Sequence, residues 1–155
     1  MSETVEGPRG QYHALKDERP EHAFLAALER ARLHHAWLLT GPQGLGKATF
    51  AYRAARWLLG ARPDPMRGLL GSDPTDRVCR LIEQDAHPDL LVLERRTEGG
   101  KLRKSISVEE ARALPEFFSK SPSMAAWRVA IIDAADDLNI NSANALLKTL
   151  EEPPE

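Results

Sequence analysis

Gly41-Pro42-Gln43-Gly44-Leu45-Gly46-Lys47-Ala48-Thr49 is the stretch that decides the fold. It fits the G-x-x-x-x-G-K part of the P-loop pattern, with Ala48 standing where the pattern wants Ser or Thr. The residues around it supply the context that the motif needs. Ala36-Trp37-Leu38-Leu39-Thr40 is a short apolar run that reads as a buried parallel strand. After the loop, Phe50, Ala54, Trp57 and Leu58 recur at helical spacing, and Gly60 stops a helix that starts at Lys47. Strand, glycine loop and helix in that order let backbone N–H groups converge on phosphate oxygens at the positive end of a helix, with Lys47 reaching the terminal phosphates. Residues 41–49 are therefore the candidate nucleotide-binding residues.

Downstream, Arg128-Val129-Ala130-Ile131-Ile132-Asp133-Ala134 reads as a Walker B strand in which Ala134 takes the place of the usual Glu. Ala48 has no oxygen for Mg²⁺. Thr49 lies one residue on, about 100° further round the helix, and a local hydrogen bond near the helix start suits it better. Asp133 is the one candidate contact for Mg²⁺, through a bound water. The alternative is a carboxylate satisfied by backbone and loop donors, and the residues alone leave both open. Ala134 cannot act as a base, and loss of general-base help costs about 10²–10⁴ in rate. Asp136 and Asp137 lie beyond the strand end, where solvated or capping roles suit them. No catalytic residue is assigned. The pattern predicts a nucleotide fold that has kept its cradle and weakened its hydrolytic chemistry.

The chain has 155 residues, 42% hydrophobic, with a formal net charge of −2. That is enough for a core and gives no global field for nucleic acid. Cys79 is the single cysteine, which excludes an intramolecular disulfide and a cysteine-rich zinc site; it is expected to be a small core residue. No apolar run reaches transmembrane length. The first six residues lack a basic n-region and an apolar h-region, so a cytoplasmic protein is expected.

Residues 1–18 are expected to be a polar tail or a loosely packed lead-in, followed by residues 19–155 as one domain. Pro20 can open a helix to about Leu33 with Phe24, Leu28 and Ala31 on one face. The Pro-, Gly- and Asp-rich stretch 61–76 reads as a surface excursion, and Val78, Leu81 and Ile82 suggest a short helix. His87-Pro88 closes that helix, and residues 89–94 form a strand. Gly99-Gly100 is a turn within a basic cluster of Arg95, Arg96, Lys101, Arg103 and Lys104, which reads first as a solvated hairpin and second as a contact for DNA phosphates. Ser107 and Glu110 make a capping box for a helix to about Lys120, with Pro115 loosening one turn. Asn141 or Asn139 can cap a last helix that ends before Pro153-Pro154. His34, His35 and His87 have no metal-ligand spacing, and packing or capping roles suit them.

Asn141-Ser142-Ala143-Asn144-Ala145-Leu146-Leu147-Lys148-Thr149-Leu150-Glu151-Glu152-Pro153-Pro154 resembles the signature of the AAA+ clamp-loader subunits of bacterial DNA polymerase III. The stretches at 35–42, His87-Pro88-Asp89 and 127–133 strengthen the resemblance, which spans roughly residues 20 to 155. Within that family the chain is most similar to the delta prime branch, because Asp133-Ala134 and Ala48 depart from the motor subunit gamma/tau. The resemblance implies an α/β fold: a P-loop NTPase AAA+ core with a parallel sheet flanked by helices, truncated before the sensor strand. It also implies a stator-like role in a five-subunit ring that loads a sliding clamp on primed DNA, with gamma/tau and delta as partner subunits, ATP or ADP with Mg²⁺ as the ligand and no membrane. The family's four-cysteine zinc module is missing, so no zinc is expected. The trans-acting arginine, lid and collar would lie past Glu155. Lys148, Glu151 and Glu152 are the expected contact side of the last helix. Two competing readings are an active gamma/tau-type ATPase and a P-loop kinase-like transferase; the latter leaves the helix around residues 144–154 unexplained. Because the family's sensor strand sits between the strands at 36–40 and 128–133, a central gap in the sheet is expected, and with it a chain that is not stable as an isolated monomer.

Overall fold

The computed structural model describes residues 7–30, 46–95, 97–102, 104–133 and 140–144. Its centre is a parallel pair of strands, β1 (Leu90–Glu94) and β4 (Val129–Asp133), with Leu90 opposite Val129 and Glu94 opposite Asp133. Between them in the chain run a short antiparallel hairpin, β2 (Thr97–Glu98) and β3 (Lys101–Leu102), and the helix α4 (Val108–Ser119). Before β1 come α1 (Arg19–Glu29), α2 (Lys47–Leu58) and α3 (Arg77–Glu83). The chain has the expected α/β class. The strand expected at 36–40 lies outside the described residues, and so does the expected gap beside it.

The two strands are apolar on both faces, as a parallel sheet covered on both sides requires. Val92 and Ile131 face α2 and pack with Tyr52, Ala55, Leu59 and Ile82. Leu93 turns to the other side and meets Ile106 and Leu114, with Leu91, Ala130, Ile132 and Phe118 around them. The result is helix, sheet and helix in three layers. Helix α4 starts where the capping box places it: Ser107 Oγ accepts from the Glu110 N–H at 3.1 Å. It runs through Pro115 to Ser119, at the cost of the bond that an N–H there would give the Ala111 carbonyl.

Helix α2 is buried almost all round. One side faces the sheet; a second carries Phe50 and Ala54 against Phe24 of α1, with the Phe24 and Phe50 rings edge to face at 6.2 Å. A third side holds charge. Arg53 and Arg56 are each 1% exposed. Arg53 Nε donates to Glu21 Oε1 of α1 at 2.5 Å, and Nη2 donates to Oε2 at 3.3 Å.

Three expectations need correction. The lead-in is not loosely packed over residues 8–15, though Lys16, Asp17 and Glu18 are exposed. Arg53 Nη1 donates to the carbonyls of Tyr12 and His13, and Arg56 donates to those of Pro8, Arg9 and Gln11, at 2.7–3.4 Å. The Arg56 guanidinium also lies 4.2 Å over the Tyr12 ring, whose hydroxyl bonds Glu83. Nor is the 61–76 stretch only a surface excursion. Met66 stands out in solvent at its tip, but Leu70 is fully buried against Phe24, Phe50 and Ala54, and its N–H donates to Glu21. The loop closes through a bridge between Pro63 and Ser72. Gly71 permits this, because a Cβ there would come within 2.1 Å of the Asp64 carbonyl oxygen. Finally, residues 140–144 are helical, so Asn141 lies inside the last helix rather than capping it; Asn139 lies outside the described residues. Ser142 Oγ ties that helix to the Ile106 carbonyl at 2.9 Å.

Candidate nucleotide site

The site is read from helix α2 and from the carboxyl end of β4, which α2 packs beside through Tyr52 and Ala55. Gly41, Pro42, Gln43, Gly44 and Leu45 lie outside the described residues. Gly46 takes φ 83° and ψ 22°, a left-handed conformation that favours glycine, and hands the chain into α2. Lys47 is the first residue of that helix, at its positive end. Ala48 follows and presents no oxygen.

Thr49 is buried, and its hydroxyl donates to Gln11 Oε1 at 3.1 Å. The expected hydrogen bond exists, but it is made across the fold to the lead-in rather than locally. Thr49 carries the only hydroxyl in the first turn of α2, and it is buried beside the lead-in.

Asp133 ends β4 directly opposite Glu94 at the end of β1. Ala134, Asp136 and Asp137 lie outside the described residues. Glu94 and Tyr52, which lie near Asp133, and Arg9, which bonds both of them, carried no motif signal. Arg9 of the lead-in comes within 3.8 Å of Glu94 and 3.9 Å of Asp85, and donates to the Tyr52 hydroxyl at 3.2 Å. Burial pushes the Tyr52 phenol above its ordinary value; Arg9 opposes this, while the charges of Glu94 and Asp133 add to it. Tyr52 is accordingly a neutral hydrogen-bonding group. Arg9 could not be found from sequence, because it lies in a glycine-flanked polar stretch with no spacing to the Walker B strand.

The strands keep this register through Asp89, which has no exposed surface. Its carboxylate accepts from the N–H groups of Ser123, Met124 and Ala125 at 2.6–2.8 Å, and Arg128 lies 3.6 Å away. Its own carbonyl accepts from the Val129 N–H at 2.9 Å. The residue before β1 thus holds the turn before β4. Burial alone would raise the Asp89 pKa; the three backbone donors and Arg128 outweigh it and hold the carboxyl below the usual range. His87 Nδ1 accepts from the Asp89 N–H at 3.0 Å, the packing role expected of it.

Cys79 is fully buried, and burial pushes its thiol up to about 11, which suits an inert core residue. Lys101 is exposed on the hairpin, while Arg96 and Arg103 lie outside the described residues. Lys148, Glu151 and Glu152 also lie outside them. Among the described residues no three His, Cys, Asp or Glu side chains are grouped to hold a metal, and no helix is long and apolar enough to cross a membrane.

The sequence profile of the family described as "DNA polymerase III, delta subunit" matches residues 16–155. The chain is 37% identical over 124 residues to DNA polymerase III subunit delta' of Pseudomonas aeruginosa, covering 80% of this chain and 35% of that protein. It is also 37% identical over 136 residues to the gamma subunit of Buchnera aphidicola, covering 86% and 34%. It is 34% identical over 149 residues to the tau subunit of Escherichia coli, covering 94% and 20%. The chain spans about a third or less of the length of these relatives.

Proposed function

The chain belongs to the DNA polymerase III delta-subunit family, and from that premise we propose that it acts as a delta prime-like, stator component of the clamp loader, helping to load the sliding clamp on primed DNA in the cytoplasm. It works with gamma/tau and delta subunits, binds adenine nucleotide with weak Mg²⁺ support, and contributes little or no hydrolysis; no zinc is part of the proposal. One observation carries this reading. Ala48 stands where the P-loop pattern puts the Mg²⁺-binding hydroxyl, and Thr49, one residue on, is buried against Gln11. Asp133 is left to hold a metal-bound water without a protein co-ligand.

A second reading is a gamma/tau-type ATPase. It is favoured by the similarity to gamma and tau subunits and by the retained Lys47. Reconstitution separates the two. A clamp loader assembled without this subunit is expected to lose clamp loading on primed DNA. One assembled with its Lys47→Ala variant is expected to keep loading within about twofold of wild type, because the loading turnover comes from the neighbouring subunits. Loss of loading by tenfold or more in the Lys47→Ala complex, with assembly intact, would favour the motor reading.

A further inference from the structure

We propose that residues 8–15 form a strap that positions Gly46 and the first turn of α2, with Leu15 seated against Gly46, so that nucleotide binding and docking of the strap reinforce one another. The inference rests on the nucleotide half of the proposed function.

The strap runs antiparallel to α2. The carbonyls of Pro8, Arg9 and Gln11 are held by Arg56 in the last turn of that helix, and those of Tyr12 and His13 by Arg53 in the middle. The Gln11 side chain reaches forward to Thr49, in the helix's first turn. The strap arrives at the start of α2 with Leu15, whose Cδ2 would lie 3.1 Å from a Cβ built on Gly46. Leu15 is not free to swing away, because it packs against the cluster of Phe24, Phe50, Ala54 and Leu70.

Gly46 is the last loop glycine, and it sets the direction in which Lys47 leaves the loop. Its left-handed conformation is accessible to glycine but is one of several that glycine can take. Leu15 seated beside it narrows the space into which the chain can move there. Detaching the strap therefore restores backbone freedom at the residue that aims Lys47 and the N–H groups of the first turn, and binding must then bear the cost of ordering them. Coupling of this kind is reciprocal: whatever the strap adds to nucleotide affinity, nucleotide adds to strap docking.

The test uses the intact protein and a fluorescent ADP analogue. Leu15→Ala and Arg56→Gln are each expected to weaken binding about fivefold or more, while the volume-conserving Leu15→Met retains wild-type affinity. Amide exchange in residues 8–15 of the wild type is expected to slow when ADP is added. A purely structural strap would lower the thermal transition and leave the affinity of the folded protein unchanged. Wild-type affinity in folded Leu15→Ala, with strap exchange indifferent to ADP, overturns the proposal and leaves the nucleotide reading standing. A wild type that binds no ADP overturns both. Should Leu15→Ala not fold, the exchange comparison on the wild type decides alone.

Discussion

Replacing Asp89 by Ala is expected to destabilise the domain by about 3–5 kcal/mol, a large share of the roughly 5–15 kcal/mol that holds a domain together. The carboxylate has no exposed surface, and three backbone N–H groups, of Ser123, Met124 and Ala125, point at it. Truncation strands those donors, at about 1–3 kcal/mol for each one left unsatisfied. It also frees the turn that sets β4 against β1. Asp89→Asn keeps the shape and loses the charge, so a smaller loss is expected. Denaturant unfolding measures both, and a loss below about 1 kcal/mol for Asp89→Ala would show that the turn holds itself.

The same contact sets an acid limit. The folded Asp89 carboxyl titrates below the value of about 3.9 for an unfolded aspartate. Its stabilisation is therefore complete above that value and is lost as pH falls through the folded one. Burial lowers the His87 pKa too. The unfolded chain thus takes up that proton first, below about 6.5, and stability starts to decline there as pH falls. Asp89→Asn should flatten the lower of these two windows and deepen the upper one, because the Asp89 charge partly offsets the burial of His87.

Breaking the Glu21–Arg53 pair is the second large effect. Both side chains are 1% exposed, and they meet at 2.5 Å. Glu21→Leu or Arg53→Met each leaves one buried charge without its partner, which costs about 3–5 kcal/mol. The double variant Glu21→Leu with Arg53→Met strands no charge and is expected to lose clearly less than the sum of the two. It cannot be neutral, because the carbonyls of Tyr12 and His13 and the Leu70 N–H lose their partners. Additive losses in the cycle would mean that the two residues act separately.

These two sites mark the border of what could be read from the residues. Helices α2, α3 and α4 and strands β1 and β4 were legible because their apolar spacing agrees with a helix or a buried parallel strand, and the Ser107 cap was legible from its box. The docked lead-in was not. Its partners are arginines on a helix, and Arg53 and Arg56 read as solvated charges until their burial is seen. Leu70 was hidden for a related reason: a single apolar residue among prolines, glycines and aspartates has no period. Asn141 looked like a cap because its side chain suits that position, but the helix already includes Ile140.

Within the candidate site, the place of Asp133 at the carboxyl end of a parallel strand followed from the run of apolar residues before it. What surrounds it did not follow. Glu94 stands opposite by strand register, and Arg9 reaches Glu94 from a segment far away in sequence. Thr49 was expected to bond locally; its bond to Gln11 depends on the lead-in being docked. Long-range polar contacts of this kind leave no periodic trace.

The central claim is that the subunit keeps a phosphate cradle without a working hydrolytic centre. The most direct test is steady-state ATP turnover by the purified protein, compared with its Lys47→Ala variant under the same conditions with Mg²⁺. The account predicts rates that cannot be told apart, in a wild type that nevertheless binds nucleotide more tightly than the variant. Turnover by the wild type clearly above the Lys47→Ala background would contradict it.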